Sequence, residues 1–248
     1  MLTDKPLAFG NLVSEAFRVR LRELVVNLGW TDQHADWLMV CMAFETGETF
    51  SPSIRNPWST ATGLIQFMAA TARQLGTSTT KLAAMSSVQQ LAYVEAYFRP
   101  YAKRVRSLED MYLAILWPRG VGQSLNWVLW VTGTQAYAVN RGLDLNRDGK
   151  VTKREATEKV RGLLQKGRQP GYIWNPDTPS TYWVQERLNS MGAGLAVDGV
   201  SGPLTRNALS QFQKMEGLPA TGTATLDTIS ALRRVLPAPS RFARASVE

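Results

Sequence analysis

The sequence predicts a mainly α-helical protein in two modules, one large and one small. Two observations carry this. Apolar residues recur at three- and four-residue spacing through most segments between Leu12 and Leu232, often behind a hydroxyl or carboxylate side chain of the kind that caps a helix. Residues 165–179 then interrupt the pattern with Gly167, Pro170, Gly171, Pro176 and Pro179. A first domain at 1–164, a linker at 165–179, a second domain at 180–237 and a frayed tail at 238–248 are expected, and 248 residues suffice for both domains.

From the N-terminus, Val13, Phe17, Leu21, Leu24, Val25 and Leu28 form one apolar stripe, with Arg18, Arg20 and Arg22 interspersed and Gly29 as the stop. A second helix runs from about Thr31 to Phe44, capped by Thr31 or Asp32, with Glu45 in its last turn. Residues 46–62 read as a loop, in which Trp58 either stacks on a ligand or anchors the loop. Gln66 and Met68 lead into a helix ending near Gly76, and the spacing alone makes Met68 core. Ser87 to Gln90 fits a capping box for a helix carrying Val88, Leu91, Val94, Phe98 and Tyr101. Ser107 and Asp110 open the next, which runs to Pro118. Lys153 to Leu164 form another. Beyond the linker, Tyr182 to Met191, Gly202-Pro203 to Phe212 and Leu226 to Leu232 suggest three short helices, and residues 197–205 weakly echo 220–228.

Composition narrows the function classes. The net charge of +8 and pI near 9.8 favour an acidic partner, but nothing in the sequence resembles a zinc finger or an RNA-binding aromatic signature, so no nucleic acid is expected. No apolar run approaches the roughly 20 residues that span a bilayer, and Met1 to Gly10 lack a signal-peptide pattern. Cys41 is the only cysteine, which rules out an intramolecular disulfide and suits packing. His34 is the only histidine, which excludes a multi-histidine metal centre; it is expected to face solvent.

Glu45 is the candidate catalytic residue. Leu38, Cys41 and Met42 share its helical stripe, so its carboxyl group is expected among apolar neighbours that raise its pKa, as a general acid needs. A paired-carboxylate glycosidase requires a second acid. None occurs between Thr49 and Val94; Glu48 lies three residues from Glu45, and Glu95 is the best distant alternative. The local chemistry therefore reads as one acid among neutral polar side chains, Asn56, Ser59, Thr60, Thr62 and Gln66.

Glu45, Phe50-Ser51-Pro52, Gly63-Leu64-Ile65-Gln66-Phe67-Met68 and Thr71-Ala72 resemble the signatures of lytic transglycosylases with a goose-type lysozyme fold. The resemblance implies a lysozyme-like helical domain that cleaves peptidoglycan between N-acetylmuramic acid and N-acetylglucosamine without water. Glu45 would protonate the glycosidic oxygen and then help the muramic 6-hydroxyl close a 1,6-anhydro ring. Gln66 and Met68 would line the glycan site, Asn56 stands where the family often has a serine, and Thr46 replaces the usual serine after the glutamate. The family's alanine-tyrosine-asparagine motif is approximated by Ala136 to Asn140, so Tyr137 would contact the acid or substrate, with Asn140 beside it. The Asp that phage-type lysozymes carry nine residues after their Glu is here Ile54.

Asp144 to Glu155 match a twelve-residue calcium loop, with Asp144, Asn146 and Asp148 at positions 1, 3 and 5, Gly149 at 6, and Glu155 at 12. Lys150 would contribute its carbonyl. A structural Ca2+ is expected, the alternative being an acidic turn that needs no metal; no organic cofactor is expected. Residues 182–236, with Val197-Asp198-Gly199-Val200-Ser201-Gly202-Pro203-Leu204-Thr205, Gln185, Phe212-Gln213 and Thr221-Gly222, resemble the three-helix peptidoglycan-binding domain of cell-wall hydrolases. The pairing resembles bacteriophage endolysins or virion-associated lysins. It implies a monomer that acts on peptidoglycan, made in the host cytoplasm and reaching the periplasm and wall, or carried in the virion. A hydrolytic muramidase on the same fold, and a non-catalytic wall-binding protein, are the other readings.

Overall fold

A computed structural model describes residues 5–57, 59–176 and 178–234. Trp58 and the tail at 238–248 therefore lie outside the described residues. The chain divides into two compact units, Met1–Ile173 and Trp174–Glu248.

The first unit is built around its second helix. After α1 (Glu15–Asn27, with Ser14 accepting from the Phe17 amide at 3.2 Å) comes α2 (Asp32–Thr46). Every residue from Trp37 to Ala43 in α2 is buried, so the helix is covered all round rather than along the single stripe its spacing suggests. Helices α1, α6 (Leu108–Leu116) and α9 (Glu158–Gly167) supply that cover. His34 is half-buried instead of fully exposed: its Nδ1 accepts from the Thr31 amide at 3.2 Å, closing the capping box, and its ring stacks on Trp30 at 5.3 Å and meets Trp37 edge-on. Cys41 is buried, as its packing role requires. Gly47 ends α2 in the left-handed conformation at φ 58°, and the Glu48 amide closes back on the Ala43 carbonyl at 2.7 Å.

Between these lie α3 (Ala69–Gln74), α4 (Thr79–Ala83) and α5 (Ser87–Phe98). The cap of α5 falls one residue earlier than expected, with Ser86 and Gln89 as the capping pair. After α6, residues for which no element is expected form β1 (Val128–Val131), which pairs antiparallel with β2 (Lys150–Thr152), Trp130 facing Val151. Helices α7 (Gln135–Asn140) and α8 (Lys153–Ala156) flank the intervening loop. Trp130, Val151 and Ala156 make a small core of their own, against which Tyr137 packs.

The expected linker is largely part of the first unit. Residues 165–167 finish α9, and the chain then folds back onto the N-terminal segment. The Phe9 amide donates to Gly167 O and the Asn11 amide to Tyr172 O, each at 3.0 Å. Phe9 lies so close to Gly167 that a Cβ there would fall 2.6 Å from its ring, and it meets the Tyr172 ring edge-on at 5.6 Å. Asp36 receives the Ala8 amide and the Arg168 guanidinium, at 2.9 and 2.8 Å. Glycines and prolines here serve a close approach and a turn, which composition alone cannot distinguish from flexibility.

The second unit has the three expected helices, α10 (Thr181–Ser190), α11 (Pro203–Met215) and α12 (Leu226–Arg234), around Trp183, Leu188, Leu209, Phe212, Ile229 and Leu232. The weak repeat has a physical basis. Buried Gln185 accepts from the Asp198 and Gly199 amides and donates to Asp198, Val200 O and Thr205. Buried Gln213 does the same to the second copy, accepting from the Gly222 amide and donating to Thr221, Thr223 O and Thr228. Gly199 and Gly222 both turn at positive φ, 75° and 66°. No helix among the described residues is long and apolar enough to cross a membrane.

Candidate active site

Glu45 sits in the last turn of α2, partly buried, where the central helix reaches the surface. Burial alone raises its carboxyl group to about 7, and no ion pair or hydrogen bond from the described residues offsets that. Two tyrosines are near enough to feel its charge. Tyr97 on α5 and Tyr112 on α6 are pushed up first by their own burial; the Glu45 charge adds to both, after a larger effect of Tyr101 in the case of Tyr97. Tyr97 is fixed by donating its hydroxyl to Ala114 O at 2.7 Å, and its ring meets Phe67 at 6.2 Å. Tyr112 packs edge-on against Phe44 at 5.4 Å.

The other acids are committed elsewhere. Both oxygens of Glu48 accept from Lys166, at 2.6 and 2.8 Å. Glu95, the distant alternative, is a tie between helices: although burial opposes it, hydrogen bonds from Arg20 and Asn27 and the charges of Arg20 and Arg99 hold its carboxyl below the usual range. Glu45 is thus the acid among these that is held in a proton-retaining environment.

The loop after α2 is strained and heavily braced. Glu48, Phe50 and Gln66 all adopt positive φ, 67°, 50° and 51°, a conformation that costs a non-glycine residue about 1 kcal/mol or more. Thr46 is buried; it donates to Met42 O at 2.7 Å and accepts from the Phe50 amide at 3.0 Å. Phe50 in turn packs on Phe9 and Phe17. The brace that sequence reasoning missed is Gln90. Fully buried on α5, it accepts from the Leu64 amide at 2.6 Å and donates to Pro52 O and Leu82 O at 3.1 and 3.0 Å. Gly63 is needed beside it, since a Cβ there would lie 2.3 Å from the Gln90 amide. A polar residue on the Leu91, Val94 and Phe98 stripe was the available signal.

The proposed glycan-lining residues stand along this loop. Asn56 is exposed at its turn, with its amide on Ala61 O. Gln66 donates its side-chain amide to Gly63 O at 3.1 Å. Met68, core by spacing, is 48% exposed, because it precedes α3 instead of lying on its buried face.

Tyr137 and Asn140 are held by hydrogen bonds within their own segment. The Tyr137 hydroxyl donates to Asp144 at 2.7 Å, and Asn140 donates to Ala136 O on its own helix. The tyrosines that feel the Glu45 charge are Tyr97 and Tyr112.

In the loop from Asp144 to Glu155, Asp144 accepts from the Asp148 and Gly149 amides, Asn146 from the Asp148 amide, and Asp148 from the Lys150 amide. The Tyr137 hydrogen bond, with help from those amides, holds the Asp144 carboxyl below its ordinary range. Gly149 turns at φ 80°, and Lys150 opens β2. The oxygen donors suit a hard cation. Glu155, however, caps α8: one oxygen accepts from Thr152 amide and hydroxyl at 2.9 and 2.6 Å, the other from the Leu145 amide. Among the described residues no three His, Cys, Asp or Glu side chains gather into a metal-holding group. The loop is closed by its own hydrogen bonds, and a cation would have to draw Glu155 off Thr152.

Residues 177–232 match the family model described as a peptidoglycan binding domain. The match coincides with α10 to α12 and supports a modular, cell-wall-associated protein with peptidoglycan as partner. Neither the curated proteins nor the solved structures gave a match to the chain.

Proposed function

We propose that the protein is a peptidoglycan lytic transglycosylase, of the kind bacteriophages use as an endolysin or virion-associated lysin, with Glu45 as its single acid and base. The observation that carries this is the Glu45 carboxyl group, raised to about 7 by burial with Glu48 and Glu95 both consumed by cations. An acid with that pKa holds its proton near neutrality and can still take one back. In the first step Glu45 gives its proton to the glycosidic oxygen and the bond to the muramic C1 breaks, leaving an oxocarbenium-like centre. In the second, carboxylate Glu45 removes the proton of the muramic 6-hydroxyl as that oxygen bonds C1, giving the 1,6-anhydro product and restoring the acid. The nucleophile belongs to the substrate, so one carboxylate suffices; a hydrolase of the paired type needs a second. Tyr97 and Tyr112 feel the Glu45 charge, and Asn56, Gln66 and Met68 stand along the loop that follows α2.

The loop at Asp144 to Glu155 is proposed to take a structural Ca2+, through Asp144, Asn146, Asp148, the Lys150 carbonyl and Glu155. Its role is to fix the hairpin, since the chemistry uses no Lewis acid. Added calcium is expected to raise the melting temperature of metal-stripped protein; an unchanged melting curve removes the ion from the account.

Mass spectrometry of muropeptides released from purified peptidoglycan tests the reaction. Anhydro-muramic ends from the wild type and none from Glu45→Gln are expected. Reducing ends that depend on Glu45 would make the protein a muramidase, and equal release by both proteins would show that Glu45 is not the acid.

A further inference from the structure

The second unit carries a groove of about 470 Å³ along one face of α11. Leu204, Asn207, Ala208, Gln211 and Met215 follow one another at helical spacing on that face. Leu188 and Phe212 are buried beneath it, and the loop from Met191 to Leu195 forms the opposite wall. That wall is prebuilt. Asn189 donates to Leu195 O at 2.8 Å and accepts from the Leu195 amide at 2.6 Å, and Gly192 and Gly194 make the turns at φ 97° and 65°. The size falls within the range of ligand sites, roughly 300–1,000 Å³.

The lining says what the groove can hold. None of its residues is ionisable, in a chain whose net charge is +8. Leu204 and Met215 are 76% and 73% exposed, among the most exposed large apolar side chains described. Between them Asn207 and Gln211 present side-chain amides, one helical turn apart, that no described residue engages. Peptidoglycan offers two chemistries. Its stem peptides bear free carboxylates, for which this chain has cations in plenty, none of them here. Its glycan strand offers acetamido groups and hydroxyls that pair with amides, together with methyl groups and pyranose faces that suit Leu204 and Met215.

We infer that this groove is the wall-binding site of the second unit, and that it takes the N-acetylated glycan strand in preference to the stem peptide. The inference rests on peptidoglycan as partner but not on catalysis, and it is tested in full-length Glu45→Gln, which on the proposed function leaves the polymer intact. Binding is measured by cosedimentation with whole purified peptidoglycan and by titration calorimetry with the soluble glycan strands that an amidase releases from it. Chemical-shift titration with tetra-N-acetylchitotetraose identifies the residues touched. Stripped glycan is expected to bind as well as whole peptidoglycan, with shifts in the Asn207 and Gln211 side-chain amides. Asn207→Ala with Gln211→Ala, both exposed positions, is expected to weaken binding at least tenfold with an unchanged melting temperature, and Ala208→Arg to do so by filling the groove. Undiminished binding by these variants would overturn the site. Binding of whole peptidoglycan but not stripped glycan would overturn the ligand. Failure of the parent protein to bind whole peptidoglycan would remove the partner itself and the inference with it.

Discussion

At Glu45 stability and activity pull in opposite directions. Its folded pKa, about 7, lies above the ordinary carboxylate value of 4.5, so between those values the folded state holds a proton that the unfolded state has released. Stability from this group is full below pH 4.5 and is lost as pH rises through 7. Glu45→Gln is expected to match the wild type in acid and exceed it above pH 7, by roughly 1–3 kcal/mol in denaturant titrations. Lysis by the wild type should fall as pH rises past 7, when the acid loses its proton. Gln90 is the converse case. Gln90→Leu strands the Leu64 amide and the Pro52 and Leu82 carbonyls, and a loss of about 2–3 kcal/mol is expected, with glycan cleavage falling further than stability explains because the strained loop is released. The raised carboxyl group of Glu45 was legible in sequence because helical spacing set it among apolar residues. The tyrosines that feel its charge were not: Tyr97 and Tyr112 arrive from two other helices, whereas Tyr137 matched a motif in one dimension and hydrogen-bonds Asp144 in three.

Among the elements, α6 and α8 are joined by a buried ion pair. Lys153, 2% exposed, donates to Asp110 and to Gly120 O and Gln123 O, and Asp110 also accepts from the Gly122 and Arg106 amides. Asp110→Ala leaves a buried ammonium unpaired and is expected to cost about 3–5 kcal/mol, while Asp110→Leu combined with Lys153→Met should cost far less in the same melting experiment. Serine and threonine caps made the helices readable, since a cap declares its helix within four residues. Strand β1 was unreadable because its paired residues lie 19 to 24 positions further along the chain and the run Leu125 to Val131 has no alternation. The two glutamine clamps of the second unit were visible only as an echo in sequence, because each glutamine lies on the helix before the loop it holds.

For the molecule as a whole, the proposed function divides the labour between the two units, chemistry in the first and attachment in the second. Removing residues 174–248 is expected to spare cleavage of soluble glycan fragments and to depress lysis of intact walls by tenfold or more, because the tethered domain raises the local concentration of the acid at an insoluble polymer. The boundary matters for that experiment. A chain ending at 173 keeps the Asp36, Gly167 and Tyr172 contacts, whereas one ending at 164 loses them and should melt lower. Those contacts also govern how the first unit opens. Amide protons close to a chain end ordinarily exchange with deuterium as the end frays. Those of Phe9 and Asn11 are bonded to Gly167 and Tyr172, far along the chain, so their exchange should be as slow as that of the α2 core and should report the unfolding of the whole unit.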